Sequence, residues 1–389
     1  MKERIISILN KISCELTYHS TDHISIASGE TGILLFEILY QKFNGKNLDS
    51  AKIEARIKNL AENSFLPNSL QYKASINWFF GYLSSLKLIS KEDLKLLNSN
   101  ENILASYSIK LLELGNYDLF HGSLGIAYYL VDVKRESLIP FYKNYFIILD
   151  QLMNRSSFKC TIPYFDFQTK SIDPNSSNFG LSHGIPSVIK YCIQCYKKNI
   201  FQEKAKNIAY DLINFLLNNI NDDHSQCYFP NMVEFKKKKV GMSRLAWCYG
   251  DLGVAYILYQ AGKTFKDKNI EQQALKILFH STTRQDFKDT LLNDAGLCHG
   301  SAGISHIYNR MWHYTKDNRF LESRNKWLEV TLSAAELNNQ ISVYKSYNSI
   351  QKSYTPNYGL LEGSAGIGLI LLSLLTEDFN WDYCIMLND

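Results

Sequence analysis

The chain has 389 residues, 46% of them hydrophobic and 21% charged, with a formal net charge of +4. That length allows one large core or two ordinary domains. So small a charge demands no polyanion-binding surface, and no nucleic-acid partner is expected. Seven prolines in the whole chain, against plentiful leucine, isoleucine and lysine, favour helices.

In chain order, the opening "MKERIISILNKISCEL" is charged within its first residues, and Asn10 and Lys11 interrupt its apolar positions. It reads as an amphipathic helix rather than a secretory signal. A glycine motif follows and recurs: "SGETGIL" (28–34), a degenerate "YKASINW" (72–78), "HGSLGIA" (121–127), "HGIPSVI" (183–189), "YGDLGVA" (249–255), "HGSAGIS" (299–305) and "EGSAGIG" (362–368). The first-glycine positions are 29, 72, 122, 184, 250, 300 and 363, separated by 43 to 66 residues. Such gaps fit a helical hairpin plus loops. An apolar run follows each motif, and amphipathic segments lie between. In 203–220, Ile208, Leu212, Phe215 and Leu216 share one face. The pattern predicts an all-α protein, an α/α toroid of seven inner and seven outer helices. Residues 1–389 then form a single domain, with small loop or β-like appendages expected at 154–180 and 221–243. The lysine run at 236–239 reads as a solvated loop. The longest apolar run, 363–375, is shorter than the ~20 residues that cross a bilayer, so no transmembrane segment is expected. The glycines permit tight entry turns, and the pattern predicts free N–H groups at the helix starts, facing one end of the ring.

Eight scattered cysteines in a chain without a visible signal predict a cytoplasmic protein with thiols or ligands rather than disulfides. In equivalent repeats, one offset faces one space. The residue before the first glycine reads Ser28, Gln71, His121, His183, Tyr249, His299 and Glu362; the residue before that includes Cys248 and Cys298. Three of nine histidines thus share one offset and two of eight cysteines the next. Cys248, Cys298 and His299 together have the composition of a zinc site with an open position. "CIQC" at 192–195 could bind metal or cycle as a dithiol, but its helical setting favours buried thiols. The histidines at 19, 23, 224, 280, 306 and 313 lack a shared offset and read as structural or surface residues.

"RLAWCYGDLG" (244–253) followed fifty residues on by "LCHGSAG", with "LSHGIP" and "YDLFHGSLGIAYYL", is similar to motifs of the lanthionine synthetase C-like family, the lanthipeptide cyclases. The glycine pattern spans about residues 28 to 375. The resemblance implies zinc held by Cys248, Cys298 and His299. It places the family's acid/base residues on Asp118 and His183, and its arginine and tyrosine on Arg244 and Tyr249. It implies addition of peptide cysteine thiols to dehydroalanine or dehydrobutyrine, giving lanthionine or methyllanthionine rings in a lantibiotic-type precursor. The implied partners are that dehydrated precursor, leader plus core, with a separate dehydratase and an exporter that would bring the chain to the membrane. The length resembles the stand-alone cyclases. Departures are the degenerate second repeat and Ser187 in place of a second glycine.

Elementary chemistry fits these roles. A free thiol has a pKa of ~8.5 and needs activation. An enolate needs a proton at Cα, which an imidazole of pKa ~6.5 can give. Arg244, four residues before Cys248, lies one turn away if the segment is helical; a structural salt bridge is an equal reading. For Tyr249, packing and donation stand level, and His121 is left without a role. Other readings are a prenyltransferase-like zinc toroid, a relative that adds glutathione to dehydroamino acids, and a non-catalytic peptide-binding scaffold. The two appendages are expected to meet leader or core peptide.

Overall fold

The computed structural model describes every residue except 46–50, 67–68, 98–99, 156, 158–159, 224–225, 236–240 and 338–341. The lysine run and His224 therefore lie outside the described residues. The chain begins with helices α1 (Lys2–Thr17), α2 (Glu30–Phe43), α3 (Ala51–Asn63), α4 (Leu70–Ser85), α5 (Lys91–Leu97), α6 (Glu101–Glu113), α7 (Ser123–Val133) and α8 (Ile139–Arg155). Strands β1 (Tyr164–Asp166), β2 (Ser171–Asp173) and β3 (Ser176–Asn178) precede α9 (Ile185–Lys197) and α10 (Gln202–Leu217). Next come β4 (Met232–Glu234), α11 (Asp251–Phe265), α12 (Lys268–Ser281), α13 (Phe287–Thr290), α14 (Ser301–Thr315) and α15 (Asn318–Leu337). A hairpin of β5 (Lys345–Asn348) and β6 (Ser353–Pro356) leads to α16 (Ser364–Thr376).

Two kinds of helix alternate. Those that follow a glycine motif, such as α11 and α16, are buried on nearly every side. Those between, such as α10, bury one stripe: Ile208, Leu212, Phe215 and Leu216 point inward as their spacing predicts. The chain forms two compact units. One joins residues 1–88 to 291–388, the other covers 89–290. In the first, α16 lies between α14 and α2, α4 follows α2, and α1 covers α16 and α2. The first and last motifs of the chain are thus spatial neighbours. In the second, α9 lies between α7 and α11, backed by α6, α10 and α12.

Each glycine motif seals a helix start against the loop before it. At Gly303 and Gly366 a Cβ would stand 1.8 and 1.7 Å from the carbonyl oxygens of Leu297 and Leu360, six residues earlier. Gly250 adds a left-handed φ of 81°, where a side chain would be strained. The expectation of free helix N–H groups is overturned by the same fold-back. The N–H groups of Glu30, Ser123, Ser301 and Ser364 donate to the carbonyls of His23, Asn116, Asp294 and Asn357. The loop's own carbonyls satisfy the groups that would otherwise await a ligand. The degenerate motif is also out of step: α4 starts at Leu70, with Ser69 at its cap, so Tyr72 sits inside the helix.

The polar segments carry the expected strand pieces. β1 pairs with β2, and β3 pairs with β4, tying 176–178 to 232–234. Cys192 and Cys195 are buried in α9, and burial raises both thiol pKa values above the ordinary range. They pack as small apolar groups. No described helix is long and apolar enough to cross a membrane.

Candidate functional site

The loop into α7 carries Asp118, only 2% exposed. Its Oδ1 accepts the backbone N–H groups of Phe120 (2.8 Å) and His121 (2.7 Å). Its Oδ2 is hydrogen-bonded to Nδ1 of His183, from the loop into α9. The carboxylate is thus fixed from three sides, and the bond to His183, whose side chain is 34% exposed, leaves Nε2 outside it. Burial pulls the His183 pKa down, but the hydrogen bond and charge of Asp118, with a further push from Cys248, carry it above the ordinary value.

Tyr249 stands near the same histidine, with ring centroids 6.2 Å apart. Its hydroxyl accepts from Asn178 Nδ2 at 3.0 Å, so its own proton is available to another acceptor. Burial raises its pKa and keeps the phenol neutral. Gly180 makes room for it: a Cβ there would lie 2.7 Å from the Tyr249 ring and 2.8 Å from the Cys248 carbonyl. The Arg244–Cys248 segment is not helical, contrary to the one-turn expectation; bends run from Leu245 to Gly250. The carbonyl of Arg244 packs where a Cβ of residue 250 would be. Among the described residues no ion pair or side-chain hydrogen bond involves Arg244.

The backbone also ties the equivalent loops together. Cys298 N donates to Leu361 O at 2.7 Å, and Leu361 N to Ala27 O at 2.9 Å. In the other unit, Leu181 N donates to Cys248 O at 2.8 Å. Successive loops are stitched together next to the residues the sequence put in register. Cys248, Cys298 and His299 each offer one ligand atom, and these atoms all lie within 4.8 Å of one another. A tetrahedral zinc ion with Zn–S of ~2.3 Å and Zn–N of ~2.0 Å sets two sulfurs and a nitrogen about 3.5–3.8 Å apart. Two soft sulfurs and an imidazole therefore fit zinc with little closure, and the group could bind a metal.

Two neighbours were not singled out by the sequence. Asp294, 1% exposed, has Oδ2 at 3.9 Å from His299 Nε2. Phe167, at the β1–β2 turn and 40% exposed, sets its ring against both His121 (6.3 Å) and His183 (6.2 Å). Asp294 carries a readable signal, because other repeats have asparagine at its offset. Phe167 carries none, because its placement depends on β1–β2 pairing.

A helical chain with loop-borne Cys, Cys and His donors and a buried Asp118 paired with His183 defines the class: a helical-repeat protein with a candidate metal centre. The family model described as "Lanthionine synthetase C-like protein" matches residues 1–386, and the chain belongs to that family. Among solved structures the chain is similar to one titled "Nisin cyclase", with a TM-score of 0.74 and 19% identity, covering 99% of this chain and 97% of that one. It is also similar to one titled a sugar epimerase from a ruminal bacterium, with a TM-score of 0.52 and 10% identity, covering 98% and 100%. At these identities the likeness is one of fold. That fold is the α/α toroid.

Proposed function

We propose that the chain is a zinc-dependent lanthipeptide cyclase that adds peptide cysteine thiols to dehydroalanine or dehydrobutyrine, forming (methyl)lanthionine rings. The observation that carries this reading is the Cys248, Cys298 and His299 donor set in a chain of this family. These three residues would hold zinc, whose chemistry when bound is to acidify a coordinated peptide thiol at neutral pH.

The remaining residues act on the dehydroamino acid. As the C–S bond forms at the β-carbon, the alkene π pair moves to the α-carbon and its carbonyl. The guanidinium of Arg244, a fixed positive charge, is suited to the oxygen of that enolate, and the neutral Tyr249 hydroxyl can donate to it. His183, its Nδ1 held by Asp118, gives the Nε2 proton to the α-carbon. The thiol's proton passes to solvent and restores the imidazolium, so the net change is thiol plus alkene to thioether.

The substrate in this reading is a precursor peptide, leader plus core, dehydrated by a separate dehydratase. An assembly with that dehydratase and an exporter would work at the cytoplasmic side of the membrane. The family match runs through both compact units, which supports one cyclase domain over 1–389, with 154–180 and 221–243 as appendages toward the peptide. The test is incubation of a dehydrated precursor with the zinc-loaded protein. Ring formation conserves mass while alkylatable thiols disappear. A product carrying the mass of added glutathione would instead mark the glutathione-adding reading. Tight peptide binding with no thiol loss would leave a scaffold.

A further inference from the structure

Four loops share one local device. Asn116, Asn178, Asp294 and Asn357 each stand six residues before the first glycine of a motif. Each side-chain oxygen accepts the backbone N–H two residues on: Asp118 at 3.3 Å, Gly180 at 2.7 Å, Gly296 at 3.0 Å and Gly359 at 3.1 Å. An amide oxygen suffices for this turn, as the three asparagines show. The fourth loop carries a carboxylate instead, and it is the loop that bears Cys298 and His299. A buried charge is costly unless it is paired, so the turn alone does not account for Asp294.

The second oxygen does. Oδ1 serves the turn, while Oδ2 accepts Tyr347 N at 3.0 Å and faces Nε2 of His299 at 3.9 Å. The carboxylate is 1% exposed and the imidazole 17%, so their interaction is poorly screened. A neutral imidazole has one protonated nitrogen, and a carboxylate facing Nε2 favours the proton there. The lone pair then rests on Nδ1.

We propose that Asp294 is a positioning residue for the metal centre: its charge selects the Nε2–H tautomer of His299 and leaves Nδ1 to bind the metal. This rests on the reading of Cys248, Cys298 and His299 as ligands. Without the charge, both tautomers are populated and the ring loses its orienting partner, which lowers metal affinity.

The test is Asp294→Asn in the full chain, because its three sibling loops show that asparagine keeps the turn. Zinc affinity is measured by competition with a chelating dye, and the His299 tautomer by ring nitrogen chemical shifts in the zinc-free protein. The expected result is zinc binding weakened ~10–100-fold, a mixed tautomer in place of Nε2–H, and nearly unchanged melting of the zinc-free protein. Tyr347→Pro removes the hairpin's N–H and leaves the carboxylate; its zinc affinity should stay near wild type. Wild-type zinc affinity in Asp294→Asn would overturn the proposal. So would equal weakening in Tyr347→Pro, which would assign the effect to hairpin anchoring. A wild-type protein with no zinc affinity would instead overturn the ligand reading beneath it.

Discussion

Replacing Asp118 by asparagine changes one atom of a side chain that the fold holds on three sides. Asparagine keeps an oxygen for the Phe120 and His121 N–H groups at 2.8 and 2.7 Å, so the loop into α7 should survive. An amide nitrogen then faces His183 Nδ1 where a carboxylate oxygen did. Burial, the largest influence on His183, still pulls its pKa down, and the upward push from Asp118 is gone. The imidazolium required as proton donor becomes scarce at neutral pH. Loss of a placed general acid slows a reaction by ~10²–10⁴-fold, and that is the expected fall in cyclisation rate. Activity of the wild type should decline as pH rises through the folded His183 pKa, above ~6.5. In the variant that decline should move to lower pH.

Stability follows the same linkage. A raised folded pKa means that the pair's contribution is complete below the unfolded value of ~6.5 and fades as pH rises through the folded one. A charge-assisted hydrogen bond contributes about 1.5–3 kcal/mol. Solvent reaches about a third of the His183 side chain, which favours the lower end. Melting curves of both proteins from acid to alkaline pH should therefore differ most on the acid side and converge above it. Equal rates and superimposable pH profiles would refute the proton-donor role.

Three further outcomes test other parts of the molecule. Cys298→Ala should lose bound zinc and cyclisation together in metal analysis, and undiminished zinc would remove Cys298 from the ligand set. Phe167→Ala should raise KM for the dehydrated peptide with a small change in melting, because an exposed ring contributes only ~0.5–1.5 kcal/mol to its aromatic contacts; an unchanged KM would detach the β1–β2 turn from substrate. Gly366→Ala should destabilise by more than about 3 kcal/mol, since its Cβ would meet a backbone oxygen at 1.7 Å. Gly81→Ala, inside α4 with nothing within 4 Å, should stabilise by about 0.5–1 kcal/mol. Denaturant titrations giving the same shift for both glycines would contradict the packing described.

Much of the ring was written in local pattern. A glycine pair with an apolar run behind it marks the start of a buried helix, because the chain must fold back on its own backbone there. Six such starts, at glycines 29, 122, 184, 250, 300 and 363, fall where the sequence placed them. The shared offset of Cys248, Cys298 and His299 was legible for the same reason, since equivalent loops present equivalent positions. Local pattern failed where long-range packing decides. The helix N–H groups were satisfied by carbonyls seven residues back, which helix periodicity does not reveal. The second repeat lost its glycines and with them its marker. The bends at Leu245–Gly250 go with the close packing of the Arg244 carbonyl on Gly250. Asp118 and His183 lie 65 positions apart, and only packing of α7 beside α9 brings carboxylate to imidazole. Phe167 owes its place to strand pairing and Asp294 its second partner to a hairpin fifty residues on. The sequence by itself determined the repeat and the donor types. The tertiary structure decided which buried charge holds which ring, because that depends on distances between loops that no local period encodes.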